Sequence, residues 1–426
     1  MVDAITRQSC EALDAADPLA SLRELFELPA EQIYLDGNSL GPLPKATAAR
    51  VQRTIAREWG GDLIQSWNKA GWMDQPRRVG DKIGRLVGAG PGETIAADST
   101  SLNLYKALSV ALAFVKADAP ERKLIVSERD NFPTDLYIAD SLARQHGFEL
   151  RLVGVGELPD VIDESLAVLM LTHINYRTGR VHDMAATNTA AHVAGALVIW
   201  DLAHSAGATP VDLNGDGADF AVGCGYKYLN GGPGAPAFVW LHPHHAARLD
   251  AEQTGQPLSG WMGHAAPFEF APDYRPAPGI ARFLCGTPAI LALAALECGV
   301  DTLLAAEAHG GMAALRTKSL EMTDLFIRLV EQRCAGDGFG LQTPREPALR
   351  GSQVSLFRAE GAYAIVQALI ARGVVGDFRE PGILRFGFTP LYLRFVDVWD
   401  AVEHLAQVMG NQEWKQERFH RRAAVT

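Results

Sequence analysis

An aspartate and a lysine, each at the end of a short apolar segment, are the residues of this chain best suited to chemistry. Asp201 directly follows the apolar segment Ala196–Trp200, and His204 comes three positions later. Lys227 follows a second apolar segment, Phe220–Cys224. In open α/β sheets, ligands bind at the carboxyl ends of such strands. A lysine amine that is shielded from water at this position is suited to react with a carbonyl group. Taken separately, each group has an ordinary alternative: a helix-capping aspartate beside a structural histidine, and a surface lysine in a turn.

The combination is more specific than either part. An Asp-x-x-His sequence followed about 25 residues later by a lysine on the next strand is the arrangement of fold-type-I enzymes that use pyridoxal phosphate (PLP). In that class the aspartate pairs with the protonated pyridine nitrogen, and the lysine holds the cofactor as a Schiff base. The spacing therefore indicates PLP as the cofactor, bound by Lys227 and Asp201.

A phosphate site and a stacking ring are predicted upstream. The segment Asp98–Asn103 places Ser99 and Thr100 at the start of an amphipathic helix, where free amides and the helix dipole attract anions. A plain Ser/Thr helix cap is the alternative, and the downstream aspartate and lysine favour the phosphate. Phe132, in the turn Asn131–Asp135, is expected to stack on the cofactor ring, although it could instead be a core residue.

Short apolar strands and helices alternate through the part of the chain that carries these residues. This alternation predicts an α/β fold, with a mostly parallel buried sheet flanked by helices. The predicted strands are Leu124–Val126, Leu150–Val155, Leu166–Leu171, Ala196–Trp200, Phe220–Cys224 and Phe238–Leu241. Helices are predicted between them, including Leu102–Val115 and Asp135–Gln145.

The pattern changes after about residue 300. Apolar residues follow one helical face over Met312–Gln332. A strand (Gln353–Phe357), a helix (Ala362–Arg372), a strand (Ile383–Phe386) and a helix (Asp397–Met409) then predict a smaller α+β domain. We expect an N-terminal arm over residues 1–65 that forms part of the small domain, a large PLP-binding domain over 66–305 and the small C-terminal domain over 306–426.

Composition excludes several classes of protein. The 426 residues carry 39 basic and 50 acidic side chains, a net charge of -11, so nucleic acid is not an expected partner. Five cysteines without a Cys-x-x-Cys pair argue against a disulfide framework or zinc ribbon and indicate the cytoplasm. The sequence has neither a signal-like apolar segment at its start nor a long apolar run, so no membrane is expected. His242–His245 has no acidic or cysteine partner at ligand spacing and is interpreted as a solvated turn rather than a metal site.

Eight segments together resemble the kynureninase family in its bacterial form. They are Tyr34–Gly41, Ser66–Asn68, Asn131–Asp135, Leu171–Tyr176, Trp200–Gly207, Tyr226–Gly234, Ser259–Trp261 and Arg385–Leu391. The resemblance implies a PLP-dependent homodimer of the aminotransferase fold. It would hydrolyse L-kynurenine to anthranilate and L-alanine, as part of tryptophan degradation.

The resemblance also implies a role for each matching residue. Lys227 is the Schiff-base lysine, Asp201 the partner of the pyridine nitrogen, and Tyr226 a further catalytic residue beside the phosphate. The other expected cofactor contacts are Ser99, Thr100, Phe132, Asp135, Thr172 and His204, with Trp261 and Thr287 reaching the phosphate from the neighbouring subunit. The expected substrate contacts are Asn38, Trp67, Gly286, Thr287 and Arg385. Arg385 would hold the substrate carboxylate with two parallel hydrogen bonds.

The resemblance also bears on substrate preference, and other functions remain as alternatives. Trp67, Gly286 and Thr287 resemble the bacterial members, which prefer kynurenine to 3-hydroxykynurenine. The closest rival is another enzyme of the same fold, an aminotransferase or a cysteine desulfurase, and a desulfurase needs a reactive thiol. Cys334 is the only remote candidate, and a structural role suits its place after a helix better. A rival of another class is a protein that binds PLP for regulation or assembly without catalysis.

Overall fold

The computed structural model describes residues 5–422, so residues 1–4 and 423–426 of the expected arm and C-terminal domain lie outside the described residues. The α-helices are α1 (Arg7–Ala16), α2 (Lys45–Arg53), α3 (Ser66–Lys69), α4 (Gln75–Leu86), α5 (Thr100–Asp118), α6 (Pro133–His146), α7 (Leu158–Val161), α8 (Met184–Val193), α9 (Pro243–Glu252), α10 (Ile290–Leu304), α11 (Gly311–Arg333), α12 (Ala362–Ala371) and α13 (Phe395–Gly410). The strands are β1 (Phe26–Glu27), β2 (Ile33–Tyr34), β3 (Leu43–Pro44), β4 (Thr94–Ala96), β5 (Leu124–Glu128), β6 (Glu149–Val153), β7 (Leu166–Thr172), β8 (Leu197–Asp201), β9 (Phe220–Gly223), β10 (Phe238–Leu241), β11 (Gly340–Leu341), β12 (Gln353–Phe357), β13 (Val374–Val375), β14 (Asp377–Arg379) and β15 (Ile383–Gly387).

A seven-stranded sheet forms the centre of the larger part of the molecule. Its strand order is β4-β10-β9-β8-β7-β5-β6, and the strands from β9 to β6 run parallel. Only β10 is antiparallel to its neighbours, β9 and β4. The prediction of a mostly parallel sheet is therefore confirmed. Strand β4 was missed because three residues at a sheet edge leave too short an apolar run to recognise.

The two faces of this sheet pack against different hydrophobic clusters. Successive strand residues point to opposite faces, so Ile199 and Val222 pack with Leu104 and Leu108 of α5 in one cluster. Trp200 belongs to the other cluster, which extends into the C-terminal helices. With apolar packing on both faces, the sheet is a rigid support for whatever its carboxyl-terminal edge carries.

A second, antiparallel sheet lies near the C-terminus, in the order β11-β12-β15-β14. With α11, α12 and α13 it forms the expected α+β domain, and the four predicted elements match β12, α12, β15 and α13 within a few residues. Strand β14 was missed because Asp377 and Arg379 interrupt any apolar pattern. The exact domain limits remain a prediction. Among residues 5–422, no helix has both the length and the apolar character needed to cross a bilayer.

The N-terminal arm connects the C-terminal domain with the turn that carries Lys227. Strand β2 pairs in parallel with β13, and the amide of Gly387 donates to the carbonyl of Leu35 over 2.7 Å. A few residues later, the amide of Gly41 donates to the carbonyl of Tyr226 over 2.8 Å. A side chain at position 41 would lie 2.5 Å from the Lys227 carbonyl oxygen, so only glycine permits this close approach.

Candidate active site

The carboxyl ends of three neighbouring parallel strands bring the predicted residues together. Thr172 ends β7 and Asp201 ends β8, and the two residues are paired in the sheet register. Lys227 follows β9, the next strand. The amide of Ala203 donates to Asp201 Oδ1 over 2.8 Å and fixes the carboxylate at the strand end. Sequence spacing alone predicted this juxtaposition, because parallel strands end at one edge of the sheet.

The amine of Lys227 lies among aromatic rings and a buried histidine. Its Nζ atom is 3.0 Å from His204 Nε2 and lies 5.8 Å from the ring centroid of Phe132 and 5.7 Å from that of Tyr226. Burial lowers the pKa of His204 well below its ordinary value, and the Lys227 charge adds to this effect. The imidazole is therefore neutral, and its Nδ1 atom has no hydrogen-bond partner.

Two carboxyl groups, Asp135 from α6 and Asp201 from β8, meet in the same place. Both are buried, and each affects the pKa of the other. Burial raises the pKa of both groups; repulsion from Asp201 raises the pKa of Asp135 further, and Lys227 opposes the rise at each. Asp135 Oδ2 has no donor. The pair is thus suited to binding a group that brings a proton and positive charge.

The amino end of α5 faces the same cavity. Ser99 caps this 19-residue helix from an extended conformation (φ -108°, ψ 162°), and its side chain accepts from the amide of Leu102. Ser99, Thr100 and Ser101 all line the cavity with Lys227. Hydroxyl groups, free amides and the positive end of a helix dipole together form a good phosphate site.

The structure therefore collects one coherent group of predicted residues around one cavity. The predicted residues that line it are Ser99, Thr100, Phe132, Asp135, Thr172, Asp201, His204, Tyr226 and Lys227. The lining residues that were not predicted are Ser101, Thr134, Tyr176, Ala203 and Cys224. Two of these residues carried a signal in the sequence. Ser101 continues the run of hydroxyl residues at the predicted phosphate site, and Tyr176 is the last residue of one of the segments that resemble the kynureninase family. The residues present fit PLP. The unpartnered oxygen of Asp135 suits its pyridine N–H, the amino end of α5 suits its phosphate, and the amine of Lys227 suits its aldehyde carbon.

Arg385 lies outside the walls of this cavity and is held by other groups. It is buried on β15, opposite Asp377 on β14, and its Nε and Nη2 atoms both donate to that carboxylate. Nη2 also donates to Ser39 Oγ, and Nη1 to the Tyr176 carbonyl, each over 2.8 Å. The Tyr176 contact places the guanidinium behind one wall of the cavity.

The other expected substrate residues lie in three separate places. Asn38 is fully buried against Gly387 of β15, and both polar atoms of its side chain lack partners. Trp67 packs edge-on against Trp72, with ring centroids 5.8 Å apart. Gly286 and Thr287 line a second cavity together with Ser99.

Trp261 is partly exposed and packs edge-on against Phe268, outside the Lys227 cavity of its own chain. Its expected position, and that of Thr287, depends on a second subunit. Both assignments remain predictions.

The interpretation of His242–His245 as a solvated turn is wrong. His242 caps α9, and His245 is buried with its Nε2 atom 2.8 Å from Asp219 Oδ1. This aspartate also contacts His192, over 2.8 Å. The acidic partner lies 26 residues before His245, beyond any local spacing that sequence reading could use.

Comparison with known proteins decides between the rival activities. A family model for class-V aminotransferases matches residues 33–336, and one for the kynureninase C-terminal domain matches residues 315–405. The chain is 56% identical to the kynureninases of Burkholderia pseudomallei (strain K96243) and Pseudomonas fluorescens, over 99% of this chain and all of each relative. The chain belongs to the kynureninase family. Its activity is accordingly the hydrolytic cleavage of kynurenine, and its cofactor is PLP.

Solved structures show how widely the kynureninase architecture is shared. The cysteine desulfurase CsdA from Escherichia coli superimposes with a TM-score of 0.74 at 20% identity, covering 92% of this chain and 98% of that one. A cystine C-S lyase gives a TM-score of 0.74 at 16% identity, covering 88% and 98%. At such identities the likeness shows the fold alone. Cys334, the thiol considered for desulfurase chemistry, is buried, and burial raises its pKa to about 12.

Proposed function

We propose that the Lys227 cavity is where this chain binds PLP and cleaves L-kynurenine to anthranilate and L-alanine. One observation carries this proposal: the Lys227 amine, a buried pair of carboxyl groups and the amino end of α5 all face one cavity. PLP needs an amine for its aldehyde, an acidic partner for its ring nitrogen and an anion site for its phosphate.

Each side chain then has a distinct task in binding. Asp201, supported by Asp135, holds a proton at the ring nitrogen. Ser99 and Thr100 bind the phosphate, with Tyr226 beside it. Phe132 stacks on the ring, while Thr172 and His204 complete the shell.

The chemistry divides between the cofactor and the protein. When bound, PLP supplies an electron sink for the negative charge that develops at the substrate Cα. Lys227 removes the Cα proton and returns it later in the cycle. The Tyr226 phenol, whose pKa is raised by burial, stays protonated and can donate to a developing oxyanion. Water adds to the Cγ carbonyl carbon, the Cβ–Cγ bond breaks, and the aryl fragment leaves as anthranilate.

Binding and choice of substrate involve the remaining predicted residues. Arg385 holds the carboxylate of kynurenine, with Asn38 beside the same strand. Trp67, Gly286 and Thr287 surround the aryl ring and favour kynurenine over its 3-hydroxy form.

We further propose a cytoplasmic homodimer in which Trp261 and Thr287 of each subunit complete the phosphate site of the other. Mixing two inactive variants, Lys227→Ala and Trp261→Ala, tests this arrangement. Mixed dimers should regain activity, because one of their two sites has both native residues. Absence of any recovery after subunit exchange contradicts the shared site.

The central experiment measures anthranilate fluorescence after purified protein, loaded with PLP, is mixed with L-kynurenine. A parallel reaction contains 3-hydroxykynurenine. We expect rapid release of anthranilate and slower turnover of the hydroxylated substrate. A yellow protein that releases nothing from either substrate would retain the PLP site but contradict the proposed reaction.

A further inference from the structure

Asp98, the residue between β4 and the cap of α5, has an unusual backbone conformation. Its φ angle is +50°, in the left-handed region that residues with a side chain rarely adopt. The carbonyl of Asp98 accepts from the amide of Ala237 over 2.9 Å, so the chain leaves the sheet at a fixed point. This bend lets Ser99 take the extended conformation from which it caps α5. Strain of this kind persists only where surrounding contacts enforce it, and it concentrates at ligand sites.

Lys106 provides such a contact. It lies within α5, its side chain is fully buried, and its Nζ atom donates to the Asp98 carboxylate. The same Nζ atom donates to the carbonyl of Phe283 over 2.6 Å. Lysine is almost never buried without a reason that offsets the cost of desolvating its charge.

The contact with Phe283 links two segments that border the phosphate site. Phe283 directly precedes residues 284–287, and these line the second cavity together with Asp98 and Ser99. Ser99 lines both this cavity and the one that contains Lys227. One ammonium group therefore joins the strained bend to the segment that carries Gly286 and Thr287. It also neutralises the Asp98 carboxylate, which directly precedes the cap of α5.

We propose that Lys106 is a positioning residue for the cofactor phosphate, because it holds Asp98 in the bend that directs the first amides of α5 into the Lys227 cavity. This inference rests on the proposed PLP site. Lys106 itself belongs to the interior of the helix and takes no part in proton transfer.

The test compares two ligands that differ only in the phosphate. Apoprotein is titrated with PLP and with pyridoxal, and the dissociation constants are measured by absorbance and by quenching of tryptophan fluorescence. Lys106→Met should raise the dissociation constant for PLP about tenfold, the scale of one altered charge contact. The constant for pyridoxal should stay within twofold of wild type, because its ring and aldehyde still meet Asp201 and Lys227.

Lys318 offers a matched control for the loss of a buried ammonium group. It is buried on α11, and its Nζ atom lies 2.7 Å from both Asp17 Oδ2 and the carbonyl oxygen of Pro390. Lys318→Met should lower thermal stability as Lys106→Met does, yet leave the ratio of the two dissociation constants unchanged. An equal change of that ratio in both variants, or no change in Lys106→Met, would overturn the proposal.

A second pair of variants leaves Lys106 in place and examines the bend directly. Glycine adopts positive φ without strain, whereas alanine does not. Asp98→Ala should therefore weaken PLP binding more than Asp98→Gly. Equal losses in the two variants would show that the bend does not position the phosphate site. Failure of wild-type apoprotein to form a Lys227-dependent chromophore with PLP would instead refute the proposed cofactor site itself.

Discussion

The Lys227 cavity and the cluster around Arg385 are both buried and charged, but they differ in how far their polar groups are satisfied. In the cavity, Asp135 Oδ2 and His204 Nδ1 have no partner. In the second region, which we call the Arg385 cluster (Asp36, Ser39, Asp377 and Arg385), every guanidinium nitrogen has one. The cavity thus has polar atoms available to a ligand, whereas the guanidinium of Arg385 is already bound by other groups of the protein.

The difference has a consequence for the substrate carboxylate. A guanidinium has five N–H groups, and Arg385 already uses four of them on Asp377, Ser39 and the Tyr176 carbonyl. A bidentate contact with a carboxylate needs two. If Arg385 binds the carboxylate of kynurenine as proposed, at least one existing contact must therefore be released or shared. Arg385 is oriented by these protein contacts, and the proposed contact with the substrate would replace one of them.

The largest expected effect concerns the amine that makes the cavity reactive. Lys227→Ala should lower kcat by at least about 10⁴-fold, because it removes both the cofactor bond and a proton-transfer group. Anthranilate fluorescence under saturating kynurenine measures the loss. Lys415→Ala, an exposed lysine near the C-terminus, is the control and should have wild-type kcat. Near-normal turnover in Lys227→Ala would remove the cavity from the reaction.

The next effect tests whether Asp377 holds Arg385. Asp377→Asn leaves a buried guanidinium without its counter-charge, which should lower the free energy of unfolding by about 3 kcal/mol. Urea unfolding of the apoprotein measures this loss, and KM for kynurenine should rise as the arginine loses its orientation. In the control, Asp140→Asn, an exposed pair with Arg144 is removed, and the change should stay below about 0.5 kcal/mol. If Asp377→Asn and Asp140→Asn had the same free energy of unfolding, Asp377 would not be what holds Arg385.

An aspartate-to-asparagine substitution in the Lys227 cavity should instead raise the free energy of unfolding. Burial and Asp201 raise the pKa of Asp135 well above its ordinary value, so its charged form costs free energy at neutral pH. Asp135→Asn should therefore stabilise the apoprotein at pH 8, while reducing turnover. At pH 4, where the wild-type carboxyl is largely protonated, the difference should disappear. A destabilised variant at pH 8 would mean that Asp135 is already well paired.

The smallest effect concerns Asp36, the one member of the Arg385 cluster with an unpartnered oxygen, Oδ1. Burial and the Asp377 charge raise the pKa of Asp36 to about 7. The stability contributed by this shift is fully present below the ordinary carboxyl pKa of about 4 and is lost as pH rises through about 7. Wild-type apoprotein should lose unfolding free energy from this group as pH rises toward 7, and only about 0.3 kcal/mol of that loss should fall between pH 7 and pH 8.

Thermal unfolding across pH 5–8 checks the prediction for Asp36. Asp36→Asn should flatten the decline, because amides do not titrate. Asp140→Asn should follow the wild-type curve. A decline that persists unchanged in Asp36→Asn would assign the pH dependence to another group.

Much of the molecule could be predicted because local patterns determine local structure. The apolar segments before Asp201 and Lys227 became β8 and β9, and the hydroxyl run at Ser99 became the cap of α5. Errors occurred where the deciding contact is remote. The three residues of β4 are a strand because β10 pairs with them, and His245 is buried in contact with Asp219, 26 residues before it.

The sequence by itself determined the family, and it predicted the Schiff-base lysine, its acidic partner and the phosphate site. These features depend on residue types at strand and helix ends, and such ends are marked by local hydrophobicity and capping residues. Only the tertiary structure decided which charges meet: Asp135 with Asp201, Asp377 and Ser39 with Arg385, and Lys106 with Asp98 and Phe283. The partners of each contact come from different elements or lie across a strained bend. Their distances depend on sheet register and packing, which no local pattern encodes.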